Sequence, residues 1–362
     1  MNIFILANYD VGLYQFRREL ISALLEEHQV SISLPDGTLV RELEKLGCSF
    51  YDTPLNRRGI NPITDLGLIF RYLRLLKQNR PDLVITYTIK PNIYGGLVCR
   101  MLRIPYAVNI TGLGTAFQKN GILRKLVVFM YRIALKKAKV VFFENSANRQ
   151  VFLDEKITTE ENTCLLSGAG VNLEHYAYAP YPQDEATRFL FIGRVMKEKG
   201  IDELFSTMER LHSEGADCNL DVLGGYEEDY AEVIKKYEAQ GWLRYHGYVT
   251  DVRPYIAQSH CFVLPSWHEG MANTNLESAA MGRPLITSDI PGCKEAVLEN
   301  ISGLLCEPQN AESLYETMKH FLALPTEAHI QMGKAGRKHM EAVFNKKIVV
   351  EKTMKAIGLQ KG

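Results

Sequence analysis

Residues 265–284 read Pro265-Ser-Trp-His-Glu-Gly-Met-Ala-Asn-Thr-Asn-Leu-Glu-Ser-Ala-Ala-Met-Gly-Arg-Pro284. The apolar run Cys261-Phe-Val-Leu264 before them has the length of a buried strand, and Pro265 with Ser266 ends it. Gly270, which has no Cβ, permits a tight backbone path. From Ala272 the pattern turns helical, and Gly282 followed by Pro284 closes that helix. A strand, a glycine turn and a helix start, in that order, present free N–H groups and the positive end of a helix dipole, which together suit a phosphate. Glu269 stands before the helix and Glu277 inside it. At about 100° per residue the helix brings Glu277 round toward the same mouth. A carboxylate beside a phosphate is repelled, so hydroxyl groups, abundant on sugars, are the better partners for both acids. A helix N-terminus that merely keeps an acid near its dipole is the plain alternative.

The 362 residues suffice for two domains, and 46% apolar content fills their cores. Forty-two basic and forty-two acidic residues cancel, which argues against a nucleic-acid binder held by bulk charge. Seven cysteines are scattered singly, with no C-x-x-C, as in a reducing cytoplasm. No His, Cys and carboxylate cluster has zinc-ligand spacing, and no Asp-x-Asp is present, so neither metal nor cofactor is expected. The opening run Met1-Asn-Ile-Phe-Ile-Leu-Ala-Asn8 lacks the basic start of a signal peptide and reads as a first strand. No stretch approaches the ~18 apolar residues of a spanning helix.

Strands and helices alternate along the chain. Strands are predicted at 2–7, 29–34, 48–52, 82–86, 105–110 and 139–143, with helices at 14–27, 62–79, 92–102 and 121–137. Residues 168–187 break the rhythm with Gly, Tyr and Pro. The alternation then restarts with strands at 188–192 and near 219–223, 243–246, 260–264, 284–287 and 303–306. This pattern implies parallel sheets with right-handed crossovers. The expected organisation is an amino-terminal domain over 1–170, a linker over 171–187 and a second domain over 188–343, with 344–362 packing back on the first. Two doubly wound, Rossmann-like α/β domains of this kind would face each other across a ligand cleft.

Several loops carry candidate chemistry. The first βα turn has a single glycine, Gly12, and not G-x-G-x-x-G, which weakens a dinucleotide reading. Lys90 and Asn92 fall where the fourth strand meets a helix. A lysine there opposes the dipole unless an anionic ligand arrives, a solvent-facing lysine being the alternative. Thr111, in Asn109-Ile-Thr-Gly-Leu-Gly-Thr-Ala-Phe117, is expected on a backbone-lined, hydroxyl-bearing floor, a merely flexible loop being the alternative. After the strand 188–192 come Gly193, Arg194, Lys199 and Gly200, where two cations beside a helix start could neutralise a diphosphate without metal. Residues 119–139 hold Lys119, Arg124, Lys125, Arg132, Lys136, Lys137 and Lys139 and no acid. Lys125, Arg132, Lys136 and Lys139 share one helical face by spacing, and the apolar residues between them are expected largely to pack inward. Such a helix suits an anionic bilayer surface, to which Arg57 and Arg58 would add, and a solvated face is the alternative.

These motifs resemble the family 4 retaining glycosyltransferases of the GT-B fold. The match rests on Gly193-Arg194 with Lys199-Gly200, Gly247-Tyr248 with Asp251-Val252, Leu264-Pro265-Ser266, Glu269-Gly270 through Glu277, Gly282-Arg283-Pro284, Gly292 with Glu295, and Gly303-Leu304. In the amino-terminal half, Tyr-Thr-Ile-Lys-Pro-Asn and Thr-Gly-Leu-Gly-Thr look like the subgroup that elongates polyprenyl-diphosphate-linked sugars. The resemblance implies that Arg194 and Lys199 hold the diphosphate of a UDP-sugar donor and that Glu277 binds ribose hydroxyls. It implies that Glu269 holds the transferred sugar and that amides around Gly270, Met271, Ala272 and Asn273 touch sugar and distal phosphate. Gly12 and Gly193 would admit the phosphates, and Lys90, Asn92 and Thr111 would lie on the acceptor side. The implied partners are a UDP-sugar, a lipid-linked saccharide and, through 119–139, an anionic membrane on its cytoplasmic face. Rival readings are a UDP-sugar 2-epimerase on the same fold, a non-catalytic sugar-nucleotide-binding partner, and an NAD-linked dehydrogenase.

Overall fold

The computed structural model describes residues 1–56, 62–114, 117, 121–184 and 186–360. The chain divides into two compact units, Met1–Ala169 with Lys347–Gly362, and Gly170–Lys346.

The first unit is built on seven parallel strands: β1 (Asn2–Leu6), β2 (Gln29–Leu34), β3 (Ser49–Asp52), β4 (Leu83–Tyr87), β5 (Tyr106–Ile110), β6 (Val140–Phe143) and β7 (Thr163–Leu165). Their spatial order is β3-β2-β1-β4-β5-β6-β7, so the winding reverses between β1 and β4. Strands buried on both faces must be apolar throughout, and Phe4, Ile5, Val84, Ile85, Ala107, Val108 and Val141 are all fully shielded. β7 escaped the sequence reading because it is a three-residue edge strand whose residues are only half-buried or exposed, with no alternation to detect. The helices are α1 (Asp10–Leu25), α2 (Val40–Lys45), α3 (Pro62–Asn79), α4 (Gly96–Leu102), α5 (Ile122–Leu135) and α6 (Ser146–Asp154). α1 begins four residues before the predicted start at 14, and so takes Gly12 into its first turn. A single π-helical turn, Pro91–Gly95, precedes α4.

The second unit has six parallel strands: β8 (Thr187–Ile192), β9 (Cys218–Leu223), β10 (Leu243–Gly247), β11 (Cys261–Leu264), β12 (Leu285–Ser288) and β13 (Gly303–Cys306). Their order, β10-β9-β8-β11-β12-β13, places the reversal between β8 and β11. The helices are α7 (Ile201–Ser213), α8 (Ala231–Ala239), α9 (Arg253–Gln258), α10 (Asn273–Ala280), α11 (Ala311–Ala323) and α12 (Thr326–His339).

Residues 171–187, read from sequence as a linker, instead pack into the second unit. The fully buried Arg283 guanidinium donates to the carbonyls of Ala179, Pro180 (2.8 Å) and Ser259 (3.1 Å), fixing that stretch against the unit. The last helix, α13 (Lys346–Ala356), returns to the first unit, where Val349 and Ile357 join the core beside β1 and β2. The Lys139 ammonium donates to the Ile357 carbonyl at 2.7 Å, a cation closing a helix C-terminus. Lys139 is exposed, and its ammonium is engaged by this carbonyl.

Candidate functional site

Open parallel sheets bind ligands outside the carboxyl ends of their strands, where the winding reverses. In the second unit that is the edge of β8 and β11. Phe189, Leu190 and Phe191 bury β8, and the chain emerges at Gly193, whose N–H donates to Leu223 O at 2.9 Å. Arg194 leaves the strand end 53% exposed, 3.4 Å from Glu227. One 3₁₀ turn, Lys197–Lys199, then reaches Gly200, where φ is +72°. A Cβ at Gly200 would collide with the Pro265 carbonyl, so only glycine lets the start of α7 pass β11 this closely. Lys199 forms an ion pair with Glu269 Oε1, which also accepts from Ser266 Oγ at 2.9 Å. The Trp267 N–H donates to Glu198 O (3.0 Å) and its indole N–H to Glu203 Oε1 (3.1 Å). The two loops flanking the reversal point are thus stitched into one wall.

The turn into α10 differs from the sequence reading in two respects. Gly270 has no left-handed φ, and the turn also demands a glycine at Gly292, at φ +89°. A Cβ there would stand 2.7 Å from Glu269 O and 2.8 Å from Gly270 O. Glu295 Oε2 accepts from the Gly292 N–H (2.7 Å), and Gly292 O accepts from the Ala272 N–H (2.7 Å). The Ala272 amide, expected to meet a ligand, is therefore consumed by the fold. The helical ladder starts with Asn275 N–H to Ala272 O at 3.0 Å, which leaves the Met271 and Asn273 amides ahead of it. The side chains of Met271 and Ala272 are buried, so only backbone can face outward there. Asn273 Oδ1 is shielded from solvent and accepts no hydrogen bond among the described residues.

One turn further on, Glu277 is half-buried. Burial pushes its carboxyl up to about 7, against the opposing pull of the Tyr176 hydroxyl and the charge of Lys346. The helix then ends in a Schellman arrangement. Gly282, at φ +81°, donates to Ala279 O (3.0 Å) and Arg283 donates to Ser278 O (3.0 Å), as the Gly-Arg-Pro sequence predicts. Tyr176, Glu227 and Lys346 were not singled out from sequence; each meets its partner over dozens of residues with no motif to mark it.

The first-unit candidates divide differently. Gly12 sits in α1, where a Cβ would meet only Tyr9 at 3.7 Å, so the unit itself does not require glycine there. Lys90 is neither solvent-facing nor awaiting an anion. It pairs with Asp65 Oδ1 at 2.8 Å, both side chains mostly buried, and Tyr94 OH donates to the other Asp65 oxygen at 3.0 Å. Asn92 is also structural: fully buried, it accepts from Thr86 Oγ1 (2.7 Å) and donates to Asn109 O (2.8 Å), tying the π-turn to β4 and β5. Its side chain is enclosed, with 1% exposure. Thr111 lies half-buried just after β5. Beside these, Thr88 holds φ +71°, a strained value for a β-branched residue, with Oγ1 buried and unpartnered among the described residues.

The basic segment needs a further correction. α5 does not turn all its apolar residues inward: Ile122 is 88% exposed and Phe129 57%, with Leu123 and Leu126 also outward. Lys125, Arg132 and Lys136 are exposed on the same helix or at its end. Arg124 pairs with Glu155 at 2.8 Å, and Arg132 donates to the Glu155 carbonyl. Lys119, Arg57 and Arg58 lie outside the described residues. No helix among the described residues is long and apolar enough to cross a membrane, and no three His, Cys, Asp or Glu side chains among them converge as metal ligands.

Two doubly wound parallel units are the architecture of the GT-B fold. Residues 3–145 match the family described as glycosyl transferase 4-like and residues 186–323 the glycosyl transferases group 1, and the chain belongs to these glycosyltransferases. Among relatives, it is 26% identical over 341 residues, 89% of each chain, to the N,N'-diacetylbacillosaminyl-diphospho-undecaprenol alpha-1,3-N-acetylgalactosaminyltransferase of Campylobacter jejuni. A glycosyltransferase from Rickettsia africae superposes with a TM-score of 0.82 at 20% identity, covering 98% of this chain and 97% of its own. HepE of Anabaena, crystallised with UDP and glucose, superposes with a TM-score of 0.81 at 14% identity over 99% of both chains.

Proposed function

We propose that this glycosyltransferase moves a hexose or N-acetylhexosamine from a UDP-sugar to a polyprenyl-diphosphate-linked saccharide, with retention at the anomeric carbon and without a metal ion. The observation that carries the donor half is the pairing of Lys199 with Glu269 ahead of the leading amides of α10, with Arg194 leaving the end of the neighbouring strand β8. As the sugar–oxygen bond breaks, negative charge grows on the departing diphosphate. Lys199, Arg194 and the amides of Met271 and Asn273 are fixed in advance to meet it, so little reorganisation is needed when the charge appears. Glu269, its Oε1 already held by Lys199 and Ser266, keeps Oε2 for a hydroxyl of the transferred sugar. Glu277 accepts from the ribose hydroxyls. No side chain is assigned as base; a leaving phosphate oxygen takes the acceptor proton on the face it departs from. The acceptor half is supported by the named chemistry of the Campylobacter relative.

The test is a screen of radiolabelled UDP-sugars against lipid-linked saccharides, with and without chelator. Transfer to lipid that survives chelation is expected. Release of free sugar independent of any lipid would count against a transferase of this acceptor class, and chelator sensitivity against the metal-free reaction.

The acceptor's lipid places the reaction at the cytoplasmic face of a membrane, on which the protein lies peripherally. α5 supports this with exposed Ile122, Leu123, Leu126 and Phe129 beside Lys125, Arg132 and Lys136. Burying one such apolar side chain contributes about 1.5–3 kcal/mol, and each basic group near an anionic surface about 1 kcal/mol. Phe129→Glu should therefore weaken co-sedimentation with anionic vesicles by about tenfold or more. Unchanged partition would remove α5 from the docking surface.

A further inference from the structure

α5 is one of three helices layered on the same face of the first sheet. Tyr72 of α3, Val98 of α4 and Tyr131 of α5 bury into one cluster with Val84 and Val108 of the strands. α1, α2 and α13 pack into a different cluster, on the other face. The outward side of the first layer has a charge that the balanced chain conceals. From residue 62 to residue 139 the sequence carries fourteen lysines and arginines against two acids, Asp65 and Asp82, although bases and acids are equal over the whole chain. Asp65 is buried against Lys90, and Asp82 accepts the Asn2 N–H (2.7 Å) just before β4. Glu155, at the end of α6, reaches the layer and is taken by Arg124. Among the described residues, α3, α4 and α5 expose no acid of their own. Large apolar side chains stand between the cations. On α3, Leu66 is 54% exposed and Phe70 66%, and their four-residue spacing continues to Arg74, with Lys77 two turns beyond Phe70 on the same face. Met101, 66% exposed, lies near the end of α4 beside the exposed Arg103. The opposite layer instead exposes both signs, Glu26, Glu44 and Glu351 with Arg41, Lys45 and Lys352.

We propose that α3 and α4 dock together with α5 on an anionic lipid bilayer, so that the whole helix layer, and not α5 alone, is the membrane face of the first unit. This rests on the reading of α5 as a docking helix but stands on separate side chains. A nucleic acid would be met by the cations and would gain nothing from Leu66, Phe70 and Met101. A bilayer takes apolar groups between its headgroups and holds cations at its anionic surface, which is the combination each of the three helices offers. A second copy of this chain would bring the same positive face, and like charges oppose that pairing. Helices and strands of a doubly wound unit lie alongside one another, so a bilayer against this layer runs parallel to the sheet. The carboxyl ends of β4 and β5 then open along the lipid surface, where a lipid-borne acceptor presents its headgroup.

Co-sedimentation of the full chain with vesicles, with neither donor nor acceptor present, tests this. Phe70 is exposed, so Phe70→Glu leaves the core intact, and its urea midpoint should match wild type. Partition onto vesicles of mixed phosphatidylglycerol and phosphatidylcholine should fall about tenfold in Phe70→Glu. Arg74→Gln should lose about fivefold on the same vesicles and nothing on phosphatidylcholine alone. Phe70→Glu combined with Phe129→Glu should lose about a hundredfold, because both helices touch the surface at once. Wild-type partition of Phe70→Glu and Arg74→Gln, with Phe129→Glu weakened, would overturn the three-helix face and leave α5 docking as it stands. Wild-type partition in all three would overturn both. A wild-type chain that dimerises without vesicles, and that Phe70→Glu makes monomeric, would put a second copy on this face and overturn the proposal as well.

Discussion

Each unit places a lysine–carboxylate pair at the carboxyl edge of its sheet, next to the start of a helix, and the two pairs have opposite fates. In the first unit Asp65 spends one oxygen on Lys90 and the other on Tyr94, and the adjoining π-turn is filled by the buried, hydrogen-bonded Asn92. In the second unit Glu269 receives both Lys199 and Ser266 on the same oxygen, and α10 starts with amides ahead of its ladder. Both pairs are mostly buried, so burial does not separate them. What separates them is residual capacity: the first cluster closes on itself, and the second keeps an acceptor oxygen and N–H donors for something else. A lysine at a strand edge is thus a candidate for a site only where its partner and its helix leave polar groups unspent.

The comparison breaks most easily at Lys90. Lys90→Ala leaves Asp65 buried with only a phenol to answer its charge, and should cost about 3–5 kcal/mol of stability. A urea midpoint close to wild type would show that the closed pair is not a structural one. Lys199→Ala should do the reverse, lowering turnover about a hundredfold, or ~3 kcal/mol in the barrier, while moving the urea midpoint far less. Equal losses of rate and stability in that variant would erase the distinction drawn here. Gly292→Ala sharpens the case from the backbone side. At φ +89° and against the carbonyls of Glu269 and Gly270, the added methyl should cost about 1–3 kcal/mol and weaken UDP binding in calorimetry by displacing the turn. Intact UDP affinity in a folded Gly292→Ala protein would detach the turn from the donor.

The smallest effect is a slope. Glu277 titrates at about 7 in the fold, above its ordinary 4.5, so the folded chain holds this proton more tightly than the unfolded chain. Its contribution is most favourable below the ordinary value and fades as pH rises toward 7. Glu277→Gln should flatten that part of the stability profile in urea titrations at pH about 5 and about 8. UDP affinity should move the opposite way in wild type, rising with pH through neutrality. An unaltered stability slope in the variant would assign it to another group.

The strands were legible because a parallel sheet buried on both faces leaves uninterrupted apolar runs, such as 189–192 and 303–306. The proposed donor edge stood out because its glycines and charges lie at fixed offsets from those runs. Local pattern reaches no further than that. Lys90 looks like Lys199 until Asp65 and Tyr94, on another helix and in the π-turn, are brought beside it. Gly270 was the nearest glycine to the turn in sequence, yet the backbone demand falls on Gly292, which folds back across it. The outward apolar residues of α5 carry the same letters as core residues, and only packing distinguishes them. Residues 171–187 look like a linker because what orders them is a set of carbonyl contacts from Arg283 and Arg337, side chains dozens of residues away.

The claim at the centre is that protein cations and helix amides of the second unit hold the donor diphosphate. A crystal structure of the chain grown with UDP and chelator tests it most directly. The account predicts the two phosphates within hydrogen-bond distance of Lys199, Arg194 and the amides at Met271 and Asn273, with the ribose on Glu277. Phosphates bound elsewhere, or UDP binding only when a divalent ion is restored, would contradict it.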